Sequence, residues 1–224
     1  MPMIYFWQMQ RVHFGGVSHA SATNLVSRRA SALPVRPILT SEKPVLRQKA
    51  RPVGRVDTTV RKTLDDMVDT MRAAPGVGLA GPQIGVLQRL VVVEFEERLY
   101  HLVNPEIAWA STEHEVADEG CLSIPGYIGA VERSIKVKVR AKDAKGKNLG
   151  ITADGWLARI FQHEIDHLDG ILYTDRMAPG ERLRPSVTEE DEPMEGAPPS
   201  MTEGHYHPGP EVHAHLDGEE RAAS

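Results

Sequence analysis

WLARIFQHEIDHLDG, residues 156–170, carries two periodicities at once. Leu157, Phe161, Ile165 and Leu168 fall on one face of a helix, and Arg159, Gln162, Asp166 and Asp169 share a narrow polar strip. His163 and His167 stand one turn apart, ~40° around the axis, on a third face. Asp154 is placed to cap such a helix and Gly170 to end it, which predicts a helix over about 155–169. With an apolar face, a histidine face and so little polar surface, it reads as an internal helix. Two imidazoles at i, i+4 can hold one metal ion between them. Glu164 lies between the histidines and can reach a metal-bound water without ligating, so H-E-x-x-H supplies two ligands and a general base. The pattern also arises by chance on amphipathic helices. Taken alone it suggests a zinc endopeptidase whose third ligand lies downstream, yet only a short segment and an acidic tail follow. The single cysteine, Cys121 in EGCLSIPG (119–126), is another candidate. Gly120, Pro125 and Gly126 set it in a tight turn, where backbone amides are free to point at a ligand. A lone cysteine is equally read as a small buried hydrophobe.

Working outward, Val60, Leu64, Met67, Val68 and Met71 make one stripe of a helix over 58–73, with Asp57 at its cap and Pro75 beyond its end. A glycine-rich loop follows at 76–85. LVVVEF (90–95) reads as a buried strand, and HLVNPEIAW (101–109) as a strand interrupted by a turn at Asn104-Pro105. ERSIKVKVRAKD (132–143) alternates as a half-buried strand, Asp143 to Gly146 is a turn, and KNLGITAD returns as its hairpin partner. The expected fold is α+β: short mixed, mostly antiparallel sheets around a central metal-binding helix.

The chain has 224 residues, 41% hydrophobic and 25% charged, with net charge -5, an ordinary balance for one domain with tails. One cysteine excludes an intrachain disulfide and multi-cysteine metal sites. No apolar run approaches the ~20 residues of a membrane span. Charge is uneven: residues 1–41 hold four arginines and no acid, and residues 178–224 hold eleven acids against three arginines. The expected organisation is a basic Ser/Arg-rich extension at 1–34, a catalytic domain at 35–177, and an acidic tail at 178–224 too polar and proline-rich to repay ordering. The tail histidines His205, His207, His213 and His215 read as solvated. The extension reads as a bacterial addition or a misplaced start, with an organellar transit peptide as the alternative.

Three motifs together, GVGLAGPQ (76–83), EGCLS (119–123) and QHEIDH (162–167), resemble the ordered motifs of the peptide deformylases, from about Val35 to Met177. The family usually has alanine where Gly81 stands. The resemblance implies that Cys121, His163 and His167 bind the metal and that Glu164 is the general base and acid. It implies that Gln83 and the backbone N–H of Leu122 stabilise an oxyanion. Gly78 lines the peptide cleft, and Glu119 and Gly120 support or contact the site. Trp156, two turns before His163 on nearly the same face, is expected beside the pocket for a methionine side chain.

The implied reaction removes the N-formyl group from the N-terminal methionine of newly synthesised proteins. The implied ion is Fe(2+), with zinc, nickel or cobalt as substitutes, since two imidazoles and a thiolate suit all four. Expected partners are formyl-methionyl nascent peptides, with transient ribosome proximity and no nucleic acid or membrane. The expected location is the bacterial cytoplasm. The rivals are an HExxH zinc endopeptidase and a catalytically dead metal-binding homologue; retention of Glu164 and Gln83 counts against the latter, because metal binding alone needs neither.

Overall fold

LVVVEF forms strand β2 (Leu90–Phe95), and every residue but the half-buried Glu94 is apolar and buried because both faces of the strand are covered. Val91 and Val93 face a core built with Leu157, Phe161 and Ile165, while Leu90 and Val92 face a second core built with Leu64, Met67 and Met71. The first set comes from α2 (Gly155–Leu168), the histidine helix, and the second from α1 (Thr58–Ala73). A strand between two helices has no polar face to alternate.

A computed structural model describes residues 35–74, 76–186 and 215–216. The expected extension 1–34, Pro75, and most of the acidic tail lie outside them. Around β2, β1 (Gly78–Ala80), β3 (Arg98–Ala110), β6 (Lys136–Lys142), β7 (Asn148–Asp154) and β9 (His215–Leu216) complete one sheet in the order β1-β2-β3-β6-β7-β9. A second sheet holds β4 (His114–Cys121), β5 (Ile124–Ser134) and β8 (Arg184–Pro185). All pairings between these strands are antiparallel. The α+β expectation is therefore met. No described helix is long and apolar enough to cross a membrane.

Asp57 caps α1 as expected, its side chain accepting from the Val60 N–H at 2.9 Å. The histidine helix ends in a Schellman arrangement: Gly170 has φ +75, its N–H donates to His167 O, and the Ile171 N–H donates to Asp166 O. Asp143 accepts from the N–H groups of Lys145 and Lys147, closing the expected turn.

Several local expectations change. Asp154 sits at the N-cap of α2 but makes no side-chain capping bond; its carboxylate lies 4.0 Å from Lys136 Nζ. The segment 132–143 is two strands, because the chain crosses from one sheet to the other at Ile135. Asn104-Pro105 does not interrupt β3. Asn104 takes φ +54 at a register shift, and its amide clamps both backbone groups of Val53, at 2.7 and 2.8 Å. The turn signal was thus a β-bulge. Past the expected domain edge at Met177, Arg184 and Pro185 pair with Ile128 and Tyr127, and His215 and Leu216 pair with β7.

Candidate active site

Strand β4 ends on Cys121, and α2 brings His163 and His167 against it. Cys121 Sγ lies 3.2 Å from His167 Nε2. The two imidazoles are 5.0 Å apart, centroid to centroid. One donor atom from each of the three residues lies within 4.8 Å of the others, and all three side chains are buried. Among the described residues this is the one such group. His163 Nδ1 is engaged by Glu119 Oε2 at 2.9 Å, which leaves Nε2 to face an ion. His167 Nδ1 is buried without a hydrogen-bond partner among the described residues. A buried sulfur and two imidazole nitrogens at these separations fit a first-row divalent ion.

The electrostatics agree. Burial would push the Cys121 thiol up, but His167 and His163 beside it bring it well below its usual value. Burial would lower His163, but Cys121 and Glu119 hold it well above its ordinary range. The pocket thus favours a thiolate, the form that ligates and reacts.

Glu164 is buried beside the trio, and its Oε2 has no hydrogen-bond partner among the described residues. Burial pushes its carboxyl up to about 7, against the opposing pull of His163 and His167. Gly78 makes room for it: a Cβ at that position would lie 2.3 Å from Glu164 Oε1. This explains why the glycine-rich loop approaches the helix so closely.

Gln83 comes from a 3-10 turn at Gly81–Ile84 and is buried. The Ala80 N–H donates to its Oε1 at 2.8 Å, which turns Nε2 toward the site. Nε2 lies 3.6 Å from Cys121 Sγ and 3.3 Å from Ser123 Oγ. The Ser123 N–H also donates to the sulfur, at 3.4 Å. The Leu122 N–H makes no backbone hydrogen bond with another described residue. Gly120 pairs with Ile128, and the register shift between Gly120 and Cys121 turns the cysteine out of the ladder.

Glu119 proves more than a contact. It is fully buried and accepts from Arg133 Nε and Nη2 at 2.8 and 2.9 Å, from Arg159 Nη1 at 2.9 Å, and from His163. Burial alone would raise its carboxyl, yet Arg133 and His163 hold it far below the usual range. Arg133 also reaches Asp166, which binds Arg176. Arg133, Arg159 and Asp166 escaped the sequence reading as part of the site. Arg159 and Asp166 lie on the strip read as polar surface, but they are only 3% and 8% exposed because β4 and β5 cover it. The available signal was the charge itself: an arginine and an aspartate on a helix with almost no solvent face require buried partners.

Trp156 stands in the first turn of the histidine helix. It packs against the core of the larger sheet and under the Arg159 guanidinium, 5.8 Å from its ring. Seven residues of helix separate it from His163 by about 10 Å along the axis. Gly81, where the family usually has alanine, sits hard against backbone. A Cβ there would lie 2.7 Å from Val86 O and 2.8 Å from Gln88 O, so the glycine lets the Val86–Gln88 turn close in.

The polypeptide deformylase family model matches residues 35–183. A peptide deformylase of Symbiobacterium thermophilum is 56% identical over 156 residues, covering 68% of this chain and 70% of its own. One from Heliobacterium modesticaldum is 54% identical over 140 residues, 62% of this chain and 92% of its own. The crystal structure of a peptide deformylase from Thermotoga maritima superposes with a TM-score of 0.64 at 41% identity, covering 65% of this chain and 99% of that one. A peptide deformylase from Synechococcus elongatus, solved with actinonin, gives 0.64 at 39% identity over 73% of this chain and 89% of that one.

Proposed function

The chain belongs to the polypeptide deformylase family, and from that premise we propose how its residues divide the work. It is a metal-dependent amide hydrolase that removes the N-formyl group from the methionine of newly made proteins. We assign Cys121, His163 and His167 as ligands, and Fe(2+) as the ion, with zinc, nickel and cobalt as substitutes. When bound, the ion supplies Lewis acidity and lowers the pKa of water. The observation that carries the assignment is the meeting of three buried donors with a carboxylate oxygen of Glu164 that has no hydrogen-bond partner among the described residues.

Glu164 takes the proton of the attacking water and delivers it to the leaving amine. Its raised pKa suits both halves of that transfer near neutral pH. Gln83 Nε2 and the Leu122 N–H donate to the developing oxyanion; one such donor is typically worth ~10²–10³ in rate. Gln83 needs no reorganisation for this, because the Ala80 N–H already fixes its amide. Glu119 is a positioning residue: it holds the ring of His163, and Arg133 and Arg159 hold Glu119. Gly78 keeps the space into which Glu164 reaches. We place the reaction in the bacterial cytoplasm, close to the ribosome where formylated chains emerge.

Metal reconstitution tests the choice of ion. Metal-free protein loaded with Fe(2+) under nitrogen should deformylate a formyl-methionyl peptide and lose activity in air. The nickel form should persist, because it does not readily undergo the same oxidation. A fully active, air-stable zinc form beside a weak iron form would reverse the preference for iron.

A further inference from the structure

The outward face of β6 is chemically one-sided. Lys136, Lys138, Arg140 and Lys142 are exposed, alternating with buried Val137 and Val139. Residues two apart on a strand lie about 6.6–6.8 Å apart, so four cations form a row. Lys145 and Lys147 extend it through the hairpin, and Arg55 lines one groove together with Lys142, Lys145, Val53 and Val56. Acids answer only part of this charge. Glu106 pairs with Arg140 at 3.0 Å, Asp154 lies 4.0 Å from Lys136, and the Asp143 carboxylate is engaged by backbone N–H groups. Lys138, Lys142, Lys145, Lys147 and Arg55 form no salt bridge with another described residue.

The second observation is β9. His215 pairs with Thr152, and Thr152 pairs with Lys138. Two strand spacings put the backbone of His215 about 10 Å from that of Lys138. Glu211 precedes this strand, and Asp217, Glu219 and Glu220 follow it. At ~3.5 Å per residue of extended chain, these acids can reach the row.

We propose that the β6 cation row is the docking surface of the chain's own acidic C-terminal segment, tethered beside it by β9. Charge complementarity selects the occupant, and the tether gives it a high effective concentration that a free partner lacks. Individual surface pairs are weak and salt-sensitive, so the contact is reversible. While docked, the segment shields the row from other polyanions, such as RNA phosphates, that an open row of lysines would attract.

Zero-length carbodiimide coupling of the full chain tests this, using an equal mixture of isotope-labelled and unlabelled protein. The expected products are links within one chain, from Lys136, Lys138, Lys142, Lys145 or Lys147 to Glu211, Asp217, Glu219 or Glu220. They should form at ~0.01 M salt, where screening reaches ~30 Å, and vanish at ~1 M, where it reaches ~3 Å. A full-length variant carrying Glu211→Gln, Asp217→Asn, Glu219→Gln and Glu220→Gln should elute from immobilised heparin at higher salt than the parent, with unchanged melting. The proposal is overturned by links to other lysines alone, by links only between chains, which would make a second copy the occupant, or by identical elution of variant and parent.

Discussion

Gly78→Ala is a one-methyl perturbation aimed at Glu164, the proposed general base. The added Cβ would lie 2.3 Å from Glu164 Oε1, 2.8 Å from Cδ and 2.9 Å from Cγ. Ordinary contact begins near 3.4 Å, so the carboxylate must retreat by about 1 Å. A displacement of that size at a reacting group costs ~10² in rate, which is ~2.7 kcal/mol of transition-state stabilisation. General acid–base catalysis contributes ~10²–10⁴, so the loss lies at the lower end of abolishing it. The yielding atoms belong to a flexible side chain rather than to backbone, so the fold should tolerate the change with a melting shift of about 2–4 °C. The assay is steady-state deformylation of a formyl-methionyl peptide under nitrogen, with metal content and melting measured on the same sample. The expected result is kcat down ~100-fold with metal retained. A kcat within about threefold of the parent, with the fold intact, would refute the claim that Glu164 acts from the position Gly78 leaves open.

Glu119→Gln leaves Arg133 and Arg159 buried against a neutral amide; we expect about 3 kcal/mol less stability in urea unfolding and ~10–100-fold weaker metal retention against a chelator. Cys121→Ser should bring metal content well below stoichiometric, because a hydroxyl replaces a thiolate; full activity with one metal per chain would remove Cys121 as a ligand. Asp66 is fully buried; burial would raise its carboxyl, but Lys62 and Arg36 hold it below its usual value. Its contribution to stability is therefore complete above the ordinary carboxylate pKa of ~3.9 and is lost as pH falls through the lower folded value. Melting temperature measured downward from about pH 5 should fall more shallowly in Asp66→Asn than in the parent.

The histidine helix was legible because its signals agreed: an apolar period of 3.6, a histidine pair one turn apart, and a glycine stop. LVVVEF was legible because a strand covered on both faces reads as an apolar run, here interrupted only by the half-buried Glu94. The β4–β5 hairpin was far less so. Its first strand, HEVADEGC, carries three acids and is partly exposed, and nothing in it marks Glu119 as the buried acid. The partner that buries it, Arg133, lies fourteen residues on and belongs to the opposite strand. Polar side chains reveal burial only through partners, and these partners meet through tertiary packing. Asn104-Pro105 misled for a related reason. A left-handed asparagine marks a turn or a bulge equally well, and here the distant Val53 backbone makes it a bulge.

The central claim is that three residues hold the metal while Glu164 handles the proton. Glu164→Ala separates these roles in one experiment: metal stoichiometry and deformylase turnover of the same anaerobically prepared, Fe(2+)-loaded sample. The account predicts about one metal per chain with turnover reduced at least ~10²-fold. Loss of the metal would make Glu164 a ligand, and retained turnover would remove it from the chemistry; either result contradicts the account.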